Sequence, residues 1–298
     1  MKTYRIAALL SAGLLVTGCG EAQPSRAGVD PPSTAYSGVS FVDDLDFGAP
    51  DSIRLDVCLP ESSGAEALPA IISVHGGGWS RGDKAQRLWR NTCAWLASEG
   101  FVVFQTNYRL APSHPYPAAI DDITTAVRWI RDDAQTTRFG HDPARLGAFG
   151  DSAGGNLVSL LGTRGEGDFR TGTRVAAVVE LSAPLDLTRA GFGELGTRFQ
   201  RLQLDYLGCE SYRECPHAEA ASPSTHIDAT DPPFYILHST DEFIPIEQAE
   251  AFTHDLREAG VDASFRAITG TQHALRILTA NRRASIGDWL RQQLGSIK

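Results

Sequence analysis

Apolar positions along the chain follow two patterns that alternate with each other. Continuous apolar runs are typical of strands buried on both faces of a parallel sheet. Such runs occupy residues 70–74, 101–108, 175–182 and 234–239. Between them, apolar residues recur every three or four positions, as on one face of a helix. The alternation predicts repeated β-α-β units, and therefore a mostly parallel, twisted sheet with helices on both faces.

Other elements follow from periodicity and from helix-ending residues. Residues 53–57 alternate apolar and polar, as in an outer strand, and residues 262–268 read as a last strand. Helices are predicted at residues 85–99, from 117 to about 130, at 246–259 and at about 274–294. Residues 186–226 interrupt the alternation. They are predicted to form a mainly helical insertion, an excursion from the sheet that lies above it and over the active site proposed below.

The N-terminus has the layout of an export signal. Lys2 and Arg5 precede an apolar run at residues 6–16, which is too short to span a bilayer. The run ends in LLVTGC, which resembles a bacterial lipoprotein box in which Cys19 is acylated and becomes the new N-terminus. We therefore expect a signal peptide at 1–18, a flexible Pro/Ser/Gly/Ala-rich tether at 19–38 and a catalytic domain at 39–298.

The expected location is the cell envelope, with a lipid anchor at Cys19, in the outer membrane if the cell has one. The alternative is an ordinary export signal and a periplasmic or secreted protein. The net charge of −9 argues against nucleic acid and against binding to anionic membranes by charge, so the lipid anchor is the one membrane contact expected.

Four further cysteines suggest two disulfides, because exported proteins mature in an oxidising compartment. They are Cys58, Cys93, Cys209 and Cys215. Three connectivities are open, and the simplest pairs Cys58 with Cys93 and Cys209 with Cys215. A zinc site at Cys209, Cys215 and His217 would lack a fourth ligand at any usual spacing, so no metal is expected.

A serine among glycines is the first candidate for chemistry. The segment GDSAG at residues 150–154 matches the G-x-S-x-G nucleophile elbow, with a strand before it and a helix after it. Glycines are expected on both sides of Ser152 because side chains there would collide with neighbouring backbone. The sharp turn would expose the hydroxyl, and the positive end of the following helix would favour developing negative charge.

A serine nucleophile needs a base that a third group orients. His273 lies between the last strand and the last helix, where the loop would reach the serine. Asp241 is the preferred acid, because it follows the strand that ends at residue 239. Asp186 is the second candidate, although it reads as a turn residue. Asp151 adjoins the nucleophile, so we expect it to brace the loop instead.

The segment HGGGW at residues 75–79 follows a buried strand and is the usual partner of such an elbow. Consecutive glycines let backbone N–H groups turn towards the oxyanion of a tetrahedral intermediate. His75 is then a brace, and Trp79 is a candidate for lining the pocket or for packing.

Together these segments resemble the hormone-sensitive-lipase-type esterases of the α/β-hydrolase superfamily. The resemblance rests on HGGGW at 75–79, the segment 107–122, GDSAGGN at 150–156, DEFIP at 241–245 and His273. It implies an α/β-hydrolase fold, a Ser152–Asp241–His273 triad, and an oxyanion hole formed by Gly77, Gly78 and Ala153. It also implies a small-molecule ester as substrate and no cofactor.

Two departures accompany the resemblance. The acid stands in HSTDEFIP instead of the DPLxDE form of many members, and the tether replaces their N-terminal helical cap. A short-chain acyl ester is therefore the expected substrate. A peptidase or amidase with the same triad, and a non-catalytic surface binding protein, are the competing hypotheses. The sequence carries no signal for the oligomeric state.

Overall fold

The structure is a computed structural model that describes residues 1, 36, 38–61, 66–165, 167–169, 171–192 and 196–295. The strands are β1 (Ser40–Asp46), β2 (Arg54–Leu59), β3 (Leu68–Val74), β4 (Val102–Thr106), β5 (His141–Asp151), β6 (Val178–Leu181), β7 (Phe234–Ser239) and β8 (Ala263–Ile268). The helices are α1 (Arg87–Ser98), α2 (Ala118–Ile130), α3 (Asp133–Phe139), α4 (Ser152–Arg164), α5 (Thr197–Leu207), α6 (His217–Ala220), α7 (Ile246–Glu258) and α8 (Ala280–Gly295). The predicted signal peptide, Cys19 and nearly all of the predicted tether lie outside the described residues.

The strands form one sheet in the order β1-β2-β4-β3-β5-β6-β7-β8. Strands β3 to β8 run parallel to one another, whereas β2 pairs antiparallel with β4, and β1 pairs antiparallel with β2. The predicted mostly parallel sheet is thus confirmed. Strand β1 was not predicted, because most of its residues are exposed or half-buried and its sequence, SFVDDLD, has no continuous apolar run.

Helices cover both faces of the sheet, as expected for strands that are apolar on both sides. Helices α1 and α8 pack on one face, where Trp95 and Leu290 join the core. Helices α2, α4 and α7 pack on the other face, where Ile123, Leu157 and Phe252 lie fully buried or nearly so. The last predicted helix begins later than expected, because residues 274–277 form a separate 3-10 turn before α8.

The segment between β6 and β7 is the predicted excursion, and it carries α5 and α6 with three short 3-10 turns. The described part of the chain contains two disulfides. Cys58–Cys93 joins β2 to α1, and Cys209–Cys215 closes a short loop after α5. The simplest of the three connectivities is therefore the one observed, and it leaves Cys209 and Cys215 without thiolates for a metal.

Parallel strands bring the loops that follow β3, β5, β7 and β8 to one edge of the sheet. The glycine-rich segment, Ser152, the acidic segment 241–242 and His273 all follow these strands. The fold thereby gathers the candidate residues at one place. Among the helices that the structure describes, none combines the length and the apolar character needed to cross a membrane.

Candidate active site

Ser152 stands at the sharp turn between β5 and α4, with a backbone φ of 49°. A Cβ on Gly150 would lie 2.4 Å from the carbonyl oxygen of Gly154, and one on Gly154 would lie 2.2 Å from that of Val74. Real Cβ atoms do not approach backbone so closely, so only glycine fits at either position. The close approach of β3, β5 and α4 therefore explains the glycines around the serine.

His273 lies beside the serine, where the sequence predicted it. The Ser152 hydroxyl donates a hydrogen bond to His273 Nε2 over 2.9 Å. The loop that carries His273 is held by the next two backbone N–H groups. Ala274 donates to Ser182 Oγ over 3.0 Å, and Leu275 donates to Asp151 Oδ2 over 3.3 Å.

The acid that contacts His273 is Glu242, and the prediction of Asp241 is wrong. His273 Nδ1 donates a hydrogen bond to Glu242 Oε2, and the Glu242 side chain is fully buried. Asp241 is exposed and accepts a hydrogen bond from Thr240 Oγ1 over 2.6 Å. Its backbone N–H donates to the carbonyl of Gly270, which directs this part of the turn towards the surface. Two adjacent carboxylates follow the same strand, so spacing alone could not separate them.

The other two aspartates considered for this role have structural partners. Asp186 accepts a hydrogen bond from the N–H of Thr188, as a turn residue does. Asp151 is buried, and its two oxygens accept from the N–H groups of Gly76 and Leu275. Burial raises the pKa of Asp151 to about 7. Asp151 thereby ties the glycine-rich loop, the serine turn and the histidine loop together.

A buried histidine, His238 at the end of β7, lies next to the acid. Its Nε2–H donates to the carbonyl of Ile244 over 2.9 Å, and the same nitrogen lies 3.0 Å from Glu242 Oε1. Burial lowers the pKa of His238, which favours the neutral ring. Sequence reasoning missed this residue, although a histidine in an otherwise apolar buried strand is the kind of signal that could have found it.

The glycine-rich loop after β3 adopts a backbone that other residues avoid. Gly77 has a φ of +126° and Gly78 a φ of +61°, and a Cβ on Gly77 would lie 2.0 Å from the carbonyl oxygen of Arg81. Within the described part of the chain, neither N–H has a hydrogen-bond acceptor. His75 acts as a brace: Nδ1 donates to the carbonyl of Gly76 over 2.8 Å, and the ring stacks on Tyr108. Burial lowers the pKa of His75.

Ala153 is the first residue after the serine in α4, where helical N–H groups lack acceptors within the helix. Trp79 is fully buried, donates to Asn156 Oδ1 over 3.3 Å and stacks on Tyr206 with ring centres 4.5 Å apart. Of the two roles considered for Trp79, packing is the one observed, because its ring lies under α5 and not at the pocket.

A pocket of about 710 Å³ opens above Ser152 and His273, and we call it the Ser152 pocket. Its apolar wall comes from α1, α5 and the loop after β7, and it consists of Leu88, Trp89, Phe199, Leu202 and Phe243. The Phe243 ring lies 4.3 Å from the His273 ring, centre to centre. Three arginines, Arg81, Arg198 and Arg276, also line the pocket. These wall residues were not foreseen, because they come from elements distant in sequence.

A mostly parallel eight-stranded sheet with a strand–serine–helix elbow, an acid after β7 and a histidine after β8 defines an α/β-hydrolase. The chain belongs to the BD-FAE family, which matches residues 55–256. The resemblance to hormone-sensitive-lipase-type hydrolases is thereby confirmed.

Curated relatives agree with this assignment. The chain is 30% identical over 243 residues to the probable carboxylic ester hydrolase LipM of Mycobacterium tuberculosis, with 77% of this chain and 54% of LipM covered. It is 29% identical over 245 residues to the esterase LipC of the same organism, covering 79% of this chain and 60% of LipC. The chain thus spans about half the length of the curated relatives it matches.

Solved structures share the fold. A truncated carbohydrate esterase from gut microbiota superposes with a TM-score of 0.75 at 23% identity, covering 86% of this chain and 97% of that one. An acetyl ester-xyloside bifunctional hydrolase from Caldicellulosiruptor lactoaceticus gives 0.69 at 25% identity, covering 85% and 92%.

Proposed function

We propose that this protein is a serine carboxylic ester hydrolase that works through an acyl-enzyme. The observation that carries the proposal is the continuous line of hydrogen bonds from Ser152 through His273 to the buried Glu242, at the floor of a pocket. The names of the relatives, carboxylic ester hydrolase and esterase, support the same activity.

In the acylation step, Ser152 Oγ attacks the ester carbonyl while His273 Nε2 takes the hydroxyl proton. Glu242 holds the His273 tautomer that has its proton on Nδ1, and it stabilises the imidazolium that forms. His273 then gives the proton to the departing alcohol oxygen as the ester C–O bond breaks. Acid, base and nucleophile are already within hydrogen-bonding distance, so little reorganisation is needed.

The oxyanion of the tetrahedral intermediate would lie against the N–H groups of Gly77, Gly78 and Ala153. Support comes from the N–H groups of Gly77 and Gly78, which have no acceptor among the described residues, and from the start of α4 at Ser152. Such donors contribute about 3–4 kcal/mol each to lowering the barrier. In deacylation, His273 takes a proton from water, the resulting hydroxide attacks the acyl carbon, and the proton returns to Ser152 Oγ as the acid leaves.

The substrate we propose is an ester with a short acyl group. The Ser152 pocket has a volume in the range of small-molecule sites, and Phe243 stands directly beside His273, which limits the space near the acyl carbon. A carbohydrate esterase and an acetyl ester-xyloside hydrolase among the similar structures make acyl esters of carbohydrates a suitable class.

We also propose that the protein is exported and anchored through an acylated Cys19. The two disulfides support an oxidising compartment. Labelling cells with a radioactive fatty acid should mark the wild type and not a Cys19→Ala variant. Equal labelling of both would contradict the anchor, and release of unlabelled mature protein would favour the periplasmic or secreted alternative.

Hydrolysis of para-nitrophenyl esters from acetate to decanoate tests the activity, with the Ser152→Ala variant as control. Short esters should be cleaved, and the variant should lose on the order of a million-fold in kcat. Faster cleavage of matching para-nitroanilides would favour the amidase hypothesis. A wild type inert to all of these would contradict the proposed hydrolase and favour a binding protein.

A further inference from the structure

Three arginines from separate segments converge on the Ser152 pocket. Arg81 follows the glycine-rich loop, Arg198 lies in the first turn of α5, and Arg276 follows His273 in the 3-10 turn. All three are exposed and line the same pocket as the nucleophile. The whole chain carries a net charge of −9, so the three positive charges at this pocket are opposite in sign to the net charge of the chain.

The three charges have no counter-ions in the described part of the chain. None of these arginines forms an ion pair there, whereas Arg90, Arg109 and others on the same chain pair with aspartates. Among the residues that the structure describes, the one carboxylate that lines the pocket is Asp151, which is buried with both oxygens engaged by backbone N–H groups. The described residues of the pocket's wall therefore carry more positive than negative charge.

Two helix N-termini add to this positive charge. Helix α1 begins next to Gln86 and helix α5 next to Gly196, and both of these residues line the pocket. Neither N-cap makes a side-chain capping bond, and neither helix has an acidic residue in its first turn. Most helices attract acidic residues to this position, because the N-terminus carries a partial positive charge. Because α1 and α5 lack such acidic residues, their N-termini can interact with a negatively charged group that enters the pocket.

We propose that the natural substrate is an anionic ester, in which a carboxylate on the acyl or the alcohol part is bound by Arg81, Arg198 and Arg276. This inference rests on the proposed ester hydrolysis and names its substrate class. The apolar wall contacts the hydrocarbon part of such an ester, and the guanidinium forks offer paired donors that match carboxylate oxygens.

Two pairs of synthetic esters test this proposal and locate the charge. For the acyl side, mono-para-nitrophenyl adipate is compared with its methyl ester, with nitrophenolate release as the readout. For the alcohol side, meta-acetoxybenzoate is compared with its methyl ester. In at least one pair kcat/KM should favour the anion by about tenfold at low salt, and the preference should fall as added salt screens the charges.

Arginine variants connect the preference to the pocket. Arg81→Gln, Arg198→Gln and Arg276→Gln should each lower the anionic-to-neutral ratio of kcat/KM by about two- to fivefold, the range for exposed ion pairs. Arg266→Gln is the matched control, since Arg266 is exposed on β8 and does not line the pocket, and it should leave the ratio unchanged.

The possible results separate this inference from the function on which it rests. Hydrolysis of the neutral esters with no preference for the anion in either pair would overturn this inference alone. A preference that the three variants leave intact would overturn the assignment to these arginines. Hydrolysis of neither member of either pair would overturn the proposed function together with this inference.

Discussion

Replacing Glu242 with glutamine should disable the enzyme while leaving its fold in place. The fully buried carboxylate accepts from His273 Nδ1, and glutamine has nearly the same shape. The glutamine amide can turn its NH₂ towards Nδ1, which would move the imidazole proton to Nε2. A proton at Nε2 faces Ser152 Oγ and prevents His273 from acting as a base.

The size of the effect follows from the role of the acid. Loss of the correct tautomer in a Ser-His-acid site lowers kcat by about ten-thousandfold. That factor corresponds to about 5 kcal/mol of transition-state stabilisation. Asp241→Asn is the matched control, because Asp241 is adjacent and exposed, and within the described residues its carboxylate accepts a hydrogen bond only from Thr240 Oγ1. We expect its kcat to remain within about twofold of the wild type.

The assay is steady-state hydrolysis of para-nitrophenyl butyrate by both variants, with thermal unfolding as a check of the fold. A folded Glu242→Gln variant with near wild-type kcat, together with an inactive Asp241→Asn variant, would refute the assignment of Glu242. It would mean that the turn after β7 adopts a different arrangement in the working enzyme.

Three further predictions concern the surroundings of the site. Because burial raises the pKa of Asp151 from 3.8 to about 7, the folded state holds a proton that the unfolded state releases. The free energy of unfolding of the wild type should therefore fall as pH rises from about 4 to 7. Urea unfolding should show that, between pH 5 and 8, the Asp151→Asn variant loses about 3 kcal/mol less of this free energy than the wild type does. His238→Phe removes the N–H beside Glu242. In a plot of kcat/KM against pH, the rise on the acidic side should therefore move to higher pH by about half a unit. His238→Gln should restore it, and equal profiles for both variants would contradict a positioning role. On a chain-entropy basis, removing Cys58–Cys93 should cost about 4 kcal/mol of unfolding free energy and removing Cys209–Cys215 about 2 kcal/mol. The reverse order in urea unfolding would contradict this reasoning.

The parallel part of the fold could be predicted because its strands are buried on both faces. Continuous apolar runs such as residues 70–74 and 234–239 are typical of buried strands, and the segments between them have clear helical periodicity. The serine turn was equally clear, since the close contacts of Gly150 and Gly154 are what their sequence positions imply. Strand β1 escaped prediction because an exposed edge strand needs no apolar pattern.

A site residue could be predicted from the sequence only where the local sequence of its loop determines its position. His273 lies in a loop after its strand, whereas the competing histidine, His254, falls within the predicted helix that is α7 in the structure. Asp241 and Glu242, by contrast, are separated only by how the turn pairs with Gly270. That pairing is a tertiary contact and leaves no local signal. The burial of Trp79 and the exposure of Phe243 depend in the same way on where α5 crosses the site.

The most direct test of the central claim is covalent labelling of the purified protein with a fluorophosphonate, followed by mass spectrometry of the peptides. The account predicts one adduct per chain, on Ser152, which is absent in Ser152→Ala and forms much more slowly in His273→Ala. Ester hydrolysis that persists while Ser152 remains unlabelled, or an adduct on another residue, would contradict a Ser152 acyl-enzyme.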